Sequence, residues 1–145
     1  MRAVALGVIG PIVVVGLALI AHGHLTPGGG FQGGALIAVA ALLGVLGGRT
    51  HLLPWGGSVR VAEAAEGAGA GSIILLGTVG VVVGSAFLAN VLPLGQLGRL
   101  ASGSLIPLIS VAVGLAVAAG VALVIRAFVA EALAIRRIRH AEDET

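Results

Sequence analysis

The sequence predicts an all-α membrane protein with four transmembrane helices in a single domain, residues 1–145, and three observations support this fold class. Hydrophobic residues make up 58% of the chain and charged residues only 10%, whereas a soluble domain carries about 25% charged residues. The charges are also segregated, because residues 3–48, 67–98 and 100–125 contain no Asp, Glu, Lys or Arg. A helix needs about 20 apolar residues to cross a bilayer. The first uncharged stretch therefore holds two spans, and the other two hold one each.

Helix 1 is predicted over about residues 4–22. Pro11 is expected to kink it, because proline removes one backbone hydrogen bond. The apolar run of residues 3–21 is longer than the h-region of a signal peptide, about 7–15 residues, and no A-x-A cleavage site follows it. We therefore expect a permanent first span and not a cleaved leader.

Residues 22–34 form a glycine-rich broken segment between helices 1 and 2, with the sequence His-Gly-His-Leu-Thr-Pro-Gly-Gly-Gly-Phe-Gln-Gly-Gly. Proline restricts the residue before it, and consecutive glycines are unfavourable in a helix. Helix 2 is therefore predicted only from Gly34, over about residues 34–48. Two interpretations of the segment remain open. It is either an exposed hairpin loop, or a broken element that lines a hydrated ion path and carries a titratable histidine.

Residues 49–66 are predicted to form a polar loop before helix 3, which is placed over about residues 72–90. The glycine-rich run before it is expected to be a flexible lead-in, with Ser72 as a candidate N-cap. Glu63 and Glu66 then precede the helix. They are either solvated carboxylates near its N-terminal dipole, or a subunit contact or the cytoplasmic mouth of a proton path.

The fourth span is predicted over about residues 105–127, after a loop at residues 91–104. The helix is expected to continue beyond the membrane to about Arg139, and residues 128–145 are assigned to a cytoplasmic tail.

The arginines predict the orientation, because positive residues are concentrated on the cytoplasmic side of membrane proteins. With four spans, one side of the membrane holds seven arginines and the opposite side holds only Arg99. Both termini are therefore expected to be cytoplasmic. The seven are Arg2, Arg49, Arg60, Arg126, Arg136, Arg137 and Arg139.

Small residues four positions apart let membrane helices approach closely, and several such pairs occur in the predicted helices. They are expected either to pack the bundle internally or to dock other membrane subunits. The pairs are Gly44 with Gly48, Gly80 with Gly84, Gly114 with Ala118, and Ala116 with Gly120.

The sequence argues against several functional classes. No Lys is present and the arginines flank apolar runs, which argues against nucleic-acid binding. His22 and His24 lack a third nearby metal ligand, so no metal site is expected. We find no nucleophile–base pair or cofactor motif, so neither enzyme activity nor a cofactor is expected. The predicted spans carry no charge at mid-membrane, which makes a complete transporter a poor candidate and favours a subunit of a larger assembly.

The glycine- and histidine-rich segment resembles the signature of the MnhB/MrpB family, which are small subunits of the multisubunit Na+/H+ (Mrp/Mnh) antiporters. The resemblance continues through residues 66–69, 90–95 and 102–120, and so covers nearly the whole chain. The signature positions, which become candidate ion-path or structural residues, are His22, His24, Thr26, Pro27, Gly28, Gly29, Gly30, Phe31, Gln32, Gly33 and Gly34.

The resemblance implies a multi-pass protein in a bacterial or archaeal plasma membrane, surrounded by lipid and by the other antiporter subunits (A, C, D, E, F and G). Such complexes exchange Na+ for protons, and their large subunits carry the intramembrane charges that are missing here. The alternative is a membrane-anchor module in a hydrogenase-type or other respiratory complex related to complex I, since similar modules occur there.

Overall fold

The computed structural model describes residues 2–23, 25, 28–48, 58–84, 86–93 and 103–143. Four helices follow one another in these ranges: α1 (Arg2–Ala21), α2 (Gly30–Leu46), α3 (Val59–Gly84) and α4 (Leu105–Asp143). No strand occurs among the described residues. The prediction of an all-helical chain with four helices is confirmed.

Helix α4 lies at the centre of the bundle. Both α2 and α3 pack along it, whereas α1 packs mainly on α2 and contacts α4 only slightly. Within the described residues, α3 makes no contact with α1 or α2. Among the four helices, α3 therefore contacts only α4, and α4 borders one groove between α2 and α3 and another between α1 and α3.

Helices α2 and α4 run parallel. Gly30 lies against Ser110 and Gly114, and Gly34, one turn later, lies against Gly114 and Ala118. Successive turns of α2 therefore contact successive turns of α4, and the two helices point in the same direction.

Helices α1 and α3 run in the opposite direction to α2 and α4. In α3, Gly69 lies against Ala112 whereas the earlier Glu66 lies against the later Gly120. Gly16 of α1 lies at the level of Gly33 and the following turn of α2, and the end of α1 approaches the start of α2. The four helices thus alternate in direction, which brings the start of α1 and the end of α4 to the same end of the bundle.

The core is built from small side chains. Ala38, Ala62 and Ala119 are completely buried, and no large side chain in the described part of the chain is. The outer surface is apolar instead, with Val82 78% exposed and Phe128 72% exposed. Small residues at the interfaces and large apolar residues outside are typical of helices that pack in lipid.

Two helices are long and apolar enough to cross a membrane, namely α3 and the Leu105–His140 part of α4. The apolar part of α1, Gly7–Ala21, and all of α2 are shorter. At 1.5 Å per residue, the 17 residues of α2 extend about 25 Å, slightly less than the hydrocarbon core of about 30 Å.

Helix α3 begins 13 residues earlier than predicted, at Val59 and not at residue 72. The stretch assigned to a polar loop and a flexible lead-in is helical from residue 59 onward, and Ser72 is no cap: its hydroxyl donates to the Ala68 carbonyl, 2.6 Å away. The prediction was wrong because glycines lower helix propensity. Packing of Gly69 against Ala116 and its neighbours in α4 supports the helix here.

Helix α3 also ends earlier than predicted, at Gly84 and not at residue 90. Beyond it the chain reverses, so that the Phe87 ring lies directly on Gly77 and Ala89 lies on Gly80 and Gly84. The glycines let this segment fold back closely onto the helix.

The remaining helix ends differ less from the predictions. Helix α2 begins at Gly30, four residues before the predicted start, and ends at Leu46. Helix α4 is continuous to Asp143 over 39 residues, so the described part of the predicted tail is helical.

Candidate functional site

The signature segment begins in the turn that ends α1. The His22 backbone N–H donates to the Ala18 carbonyl at 2.9 Å, and the exposed His22 ring places Nδ1 2.9 Å from the same oxygen. The Leu25 N–H donates to the His22 carbonyl at 2.8 Å. His22 is thus held at the end of α1, with Nδ1 turned toward the helix. The predicted site residues His24, Thr26 and Pro27 lie outside the described residues.

The middle of the segment is a glycine turn that leads into α2. Gly29 has φ of +101°, a conformation that side-chain-bearing residues rarely adopt, and it occupies the N-cap position of α2 without a side-chain cap. Gly28 lies between Leu19 and the Gln32 side chain. Glycine at position 29 is therefore required by the backbone, independently of any ion-binding role.

Two signature glycines form the contact between α2 and α4. A Cβ on Gly30 would collide with the Ser110 carbonyl oxygen and lie 2.9 Å from the Gly114 nitrogen. On Gly34 it would lie 2.6 Å from the Gly114 oxygen and 3.0 Å from the Val117 Cβ. The two helix backbones approach so closely here that only glycine fits without a shift.

A third signature glycine, Gly33, faces α1. A Cβ there would clash with the Gly16 carbonyl oxygen and lie 2.5 Å from Cγ1 of Ile20. The contact is reciprocal, because a Cβ on Gly16 would lie 2.9 Å from the Gly33 oxygen. The two side chains that precede Gly33 in the sequence are exposed: those of Phe31, by 65%, and Gln32.

The first turns of α2 therefore join α1 and α4 on two separate faces. The sequence indicated that these glycines matter but associated them with a broken, non-helical segment. It did not identify Gly16 or Gly69 as contact glycines, and it did not identify Ser110, a polar residue only 8% exposed. The spacing of Gly30 and Gly34, four apart, is a signal that could have identified this helix contact, but the pair was not among the predicted packing pairs.

The other glycines that were predicted to pack between helices have different surroundings in the structure. Gly44 is buried in α2, and Gly114 packs against the Ile20 side chain, with 2.6 Å between its Cβ position and Cδ1. Gly48 lies beyond the end of α2 with φ of +74°, and nothing in the described chain lies within 4 Å of its Cβ position. Gly48 is a turn glycine within the described chain, and its predicted packing role together with Gly44 stays a prediction.

Gly80 and Gly84 face the chain that follows their own helix. A Cβ on Gly80 would lie 2.6 Å from the Ala89 nitrogen, and one on Gly84 would lie 2.5 Å from the Ala89 Cβ. Their predicted role in contacts with another membrane helix, within the bundle or in another subunit, stays a prediction.

Glu63 and Glu66 are exposed residues inside α3, beyond its first turn. The interpretation of both as carboxylates in the first helical turn was wrong, because α3 starts at Val59. The Glu66 carboxylate reaches α4, where Oε1 lies 2.9 Å from the Cβ position of Gly120. It lies in a groove of about 420 Å³ between α2 and α3, lined otherwise by Phe31 and by small and apolar residues of α4.

A larger groove of about 660 Å³ opens on the other side of α4. Ile20 of α1, Ala65 of α3 and Leu115 of α4 are among its lining residues, which are all apolar or glycine. The described residues contain no group of three or more His, Cys, Asp or Glu side chains that could hold a metal ion.

A family described as "Domain related to MnhB subunit of Na+/H+ antiporter" matches residues 1–123. An uncharacterized protein of Methanocaldococcus jannaschii is 32% identical over 139 residues, which cover 92% of this chain and 53% of that protein. The chain thus spans about half the length of this curated relative. Because the family match includes the signature segment and the apolar part of every helix as far as residue 123, the chain belongs to the MnhB family.

Proposed function

We propose that this chain is a small subunit of a multisubunit Na+/H+ antiporter in a bacterial or archaeal plasma membrane. The observation that carries the proposal is the family match over residues 1–123, whose description relates the domain to the MnhB subunit of such an antiporter. The apolar exterior and the core of small residues support it, since such a bundle is suited to lipid and to contact with other membrane helices.

The membrane topology we propose has four spans, with both termini cytoplasmic. The alternating directions of α1 to α4 support the common side of the termini. The excess of arginines on that side supports the cytoplasmic assignment. A reporter active only in the cytoplasm, fused after Thr145, should be active, and a periplasmic reporter at the same position should be silent. The opposite pair of results would overturn the orientation.

The partners we propose are the other antiporter subunits (A, C, D, E, F and G), and the transported species are Na+ and protons. The chain contributes to assembly, because its described interior is devoted to close helix packing and carries no charged side chain. Neither a cofactor nor an enzymatic step is part of the proposal.

Co-purification tests the complex and separates it from the alternative of a hydrogenase-type membrane anchor. The tagged chain, expressed from its own locus and extracted in mild detergent, should bring down antiporter subunits identifiable by mass spectrometry. Recovery with hydrogenase catalytic subunits would establish the alternative instead. Recovery of the chain alone would contradict both.

We further propose that the turn at His22 and His24 helps to line an ion path between this subunit and its neighbours. The exposed position of His22 at the end of α1, beside a glycine turn, supports this role. His22→Ala and His24→Ala should lower Na+-driven proton movement in everted vesicles while the complex still co-purifies. His140→Ala, at the exposed end of α4, is the matched control. Normal transport in both turn variants would leave the segment with a packing role only.

A further inference from the structure

The Glu66 carboxylate lies against a helix backbone in an otherwise apolar groove. Its Oε1 is 2.9 Å, and its Cδ 3.4 Å, from where a Cβ on Gly120 would sit. Phe31 of α2 forms the opposite wall of this groove, and Ala116, Val117, Val121 and Val124 of α4 line the rest. Because Gly120 has no side chain, α4 offers a notch at this level, and the carboxylate occupies it.

The notch lies within the uncharged part of α4. Gly120 precedes Arg126, the first charged residue after residues 100–125, by six positions, which corresponds to about 9 Å along the helix. In the topology proposed above, Glu66 therefore lies inside the apolar layer near its cytoplasmic boundary. Among the described residues, no hydrogen bond or ion pair involves the Glu66 side chain.

A carboxylate that faces lipid at this depth is unfavourable, and ionisable side chains in membranes almost always face protein or water and pair with one another. The Glu66 groove, defined by Glu66, Phe31 and the α4 residues from Ala116 to Val124, is open on the side away from α4. Phe31 projects into these surroundings with 65% of its surface exposed. The surface is therefore apolar, with one negative group at its floor.

We propose that the Glu66 groove is the docking site for a transmembrane helix of a partner subunit, and that this helix carries a basic side chain that pairs with the Glu66 carboxylate. The apolar walls match the body of such a helix, and the carboxylate matches its charge. The inference rests on the proposed function, since it requires a membrane complex. It goes further by identifying the surface that docks the partner helix and the basic side chain that this helix carries.

Photo-crosslinking in the assembled complex tests whether a partner helix occupies the Glu66 groove. A p-benzoylphenylalanine at position 121, whose native Val121 lines the groove, is irradiated in native membranes, and adducts are identified by mass spectrometry. The expected adduct lies in a membrane helix of another subunit, with a Lys, Arg or His within one helical turn of the attachment point. Adducts to lipid only, or to a helix without a basic residue, would overturn the proposal. The same probe at the exposed position 82 on α3 serves as the control.

Charge reversal tests the pairing. Glu66→Lys should lower recovery of the partner subunit with the tagged chain by about a hundredfold, because breaking a desolvated ion pair by placing like charges together is strongly unfavourable. The reciprocal change of the crosslinked basic residue to Glu should restore recovery in the Glu66→Lys background. Glu63→Lys, one turn earlier on α3 and outside the groove, should leave recovery unchanged.

The outcomes separate this inference from the proposed function. If antiporter subunits co-purify with the wild-type chain but also fully with Glu66→Lys, the docking site is wrong and the antiporter assignment stands. If no antiporter subunit co-purifies with the wild-type chain, the proposed function itself fails. If reversal at both positions fails to restore recovery, the two residues are not a pair, and the inference is refuted.

Discussion

Replacing Gly34 with Ala tests one of the close contacts between α2 and α4. The added methyl would lie 2.6 Å from the Gly114 carbonyl oxygen and 3.0 Å from the Val117 Cβ. Non-bonded carbon contacts are most favourable at about 3.5–4.0 Å, so the helices must separate by roughly 1 Å. Overpacking of this kind costs about 1–3 kcal/mol. Alanine gains about 1 kcal/mol over glycine in helix propensity. The expected net loss of unfolding free energy is therefore about 0–2 kcal/mol.

The assay is an equilibrium titration of the purified chain from mild detergent into SDS, followed by circular dichroism and by limited proteolysis. Gly71→Ala is the matched control, because Gly71 lies inside α3 and, among the described residues, no atom from outside its own helix turns lies within 4 Å of its Cβ position. The control should gain up to about 1 kcal/mol from propensity alone. Equal stabilisation of the Gly34 and Gly71 variants would refute the reasoning, since it would mean that the close approach of α2 to α4 does not constrain position 34.

Three further substitutions address other contacts. Gly69→Leu should separate α3 from α4 and lower the unfolding free energy by about 3 kcal/mol in the same titration, because a Cβ alone already lies 2.6 Å from the Ala112 oxygen. Phe87→Ala should release the folded-back segment after α3, seen as faster hydrogen exchange at the Ala89 amide, which donates to the Ala86 carbonyl at 3.0 Å. Ser104→Ala removes a hydroxyl that donates to the Leu92 carbonyl at 2.8 Å, and should cost about 1 kcal/mol.

Each of these three has its own control or refuting result. Gly67→Leu should leave the unfolding free energy unchanged, because no neighbouring segment of the described chain lies within 4 Å of the Gly67 Cβ position. An equal loss of stability in both leucine variants would show that side-chain size alone is responsible. Phe128→Ala, which removes a ring that is 72% exposed, should leave exchange at Ala89 unchanged. If Ser104→Ala matches the wild type in stability, that hydrogen bond contributes nothing to the connection between α3 and α4.

The sequence predicted the number and order of the helices because the charges are so strongly segregated. It misplaced the start of α3 because Gly67, Gly69 and Gly71 lower local helix propensity, while the compensating contact of Gly69 is with Ala112, 43 positions away. A local pattern cannot report such a contact.

The glycines show the same limit. Gly30 with Gly34 and Gly80 with Gly84 have identical spacing, yet the first pair contacts α4 and the second contacts the chain that follows its own helix. The spacing of two glycines shows that a helix surface permits close approach, but the segment that packs against this surface depends on the topology of the chain. For the same reason the sequence singled out Glu66 as a candidate without placing it beside Gly120.

Sodium-driven proton movement in everted membrane vesicles tests the central proposal most directly. Vesicles from a strain lacking this chain should establish a normal proton gradient with a respiratory substrate but fail to collapse it on addition of Na+. Expression of the chain from a plasmid should restore the response, and restoration should require the other antiporter subunits. A Na+ response that is unchanged in the deletion strain would contradict the assignment of this chain to a Na+/H+ antiporter.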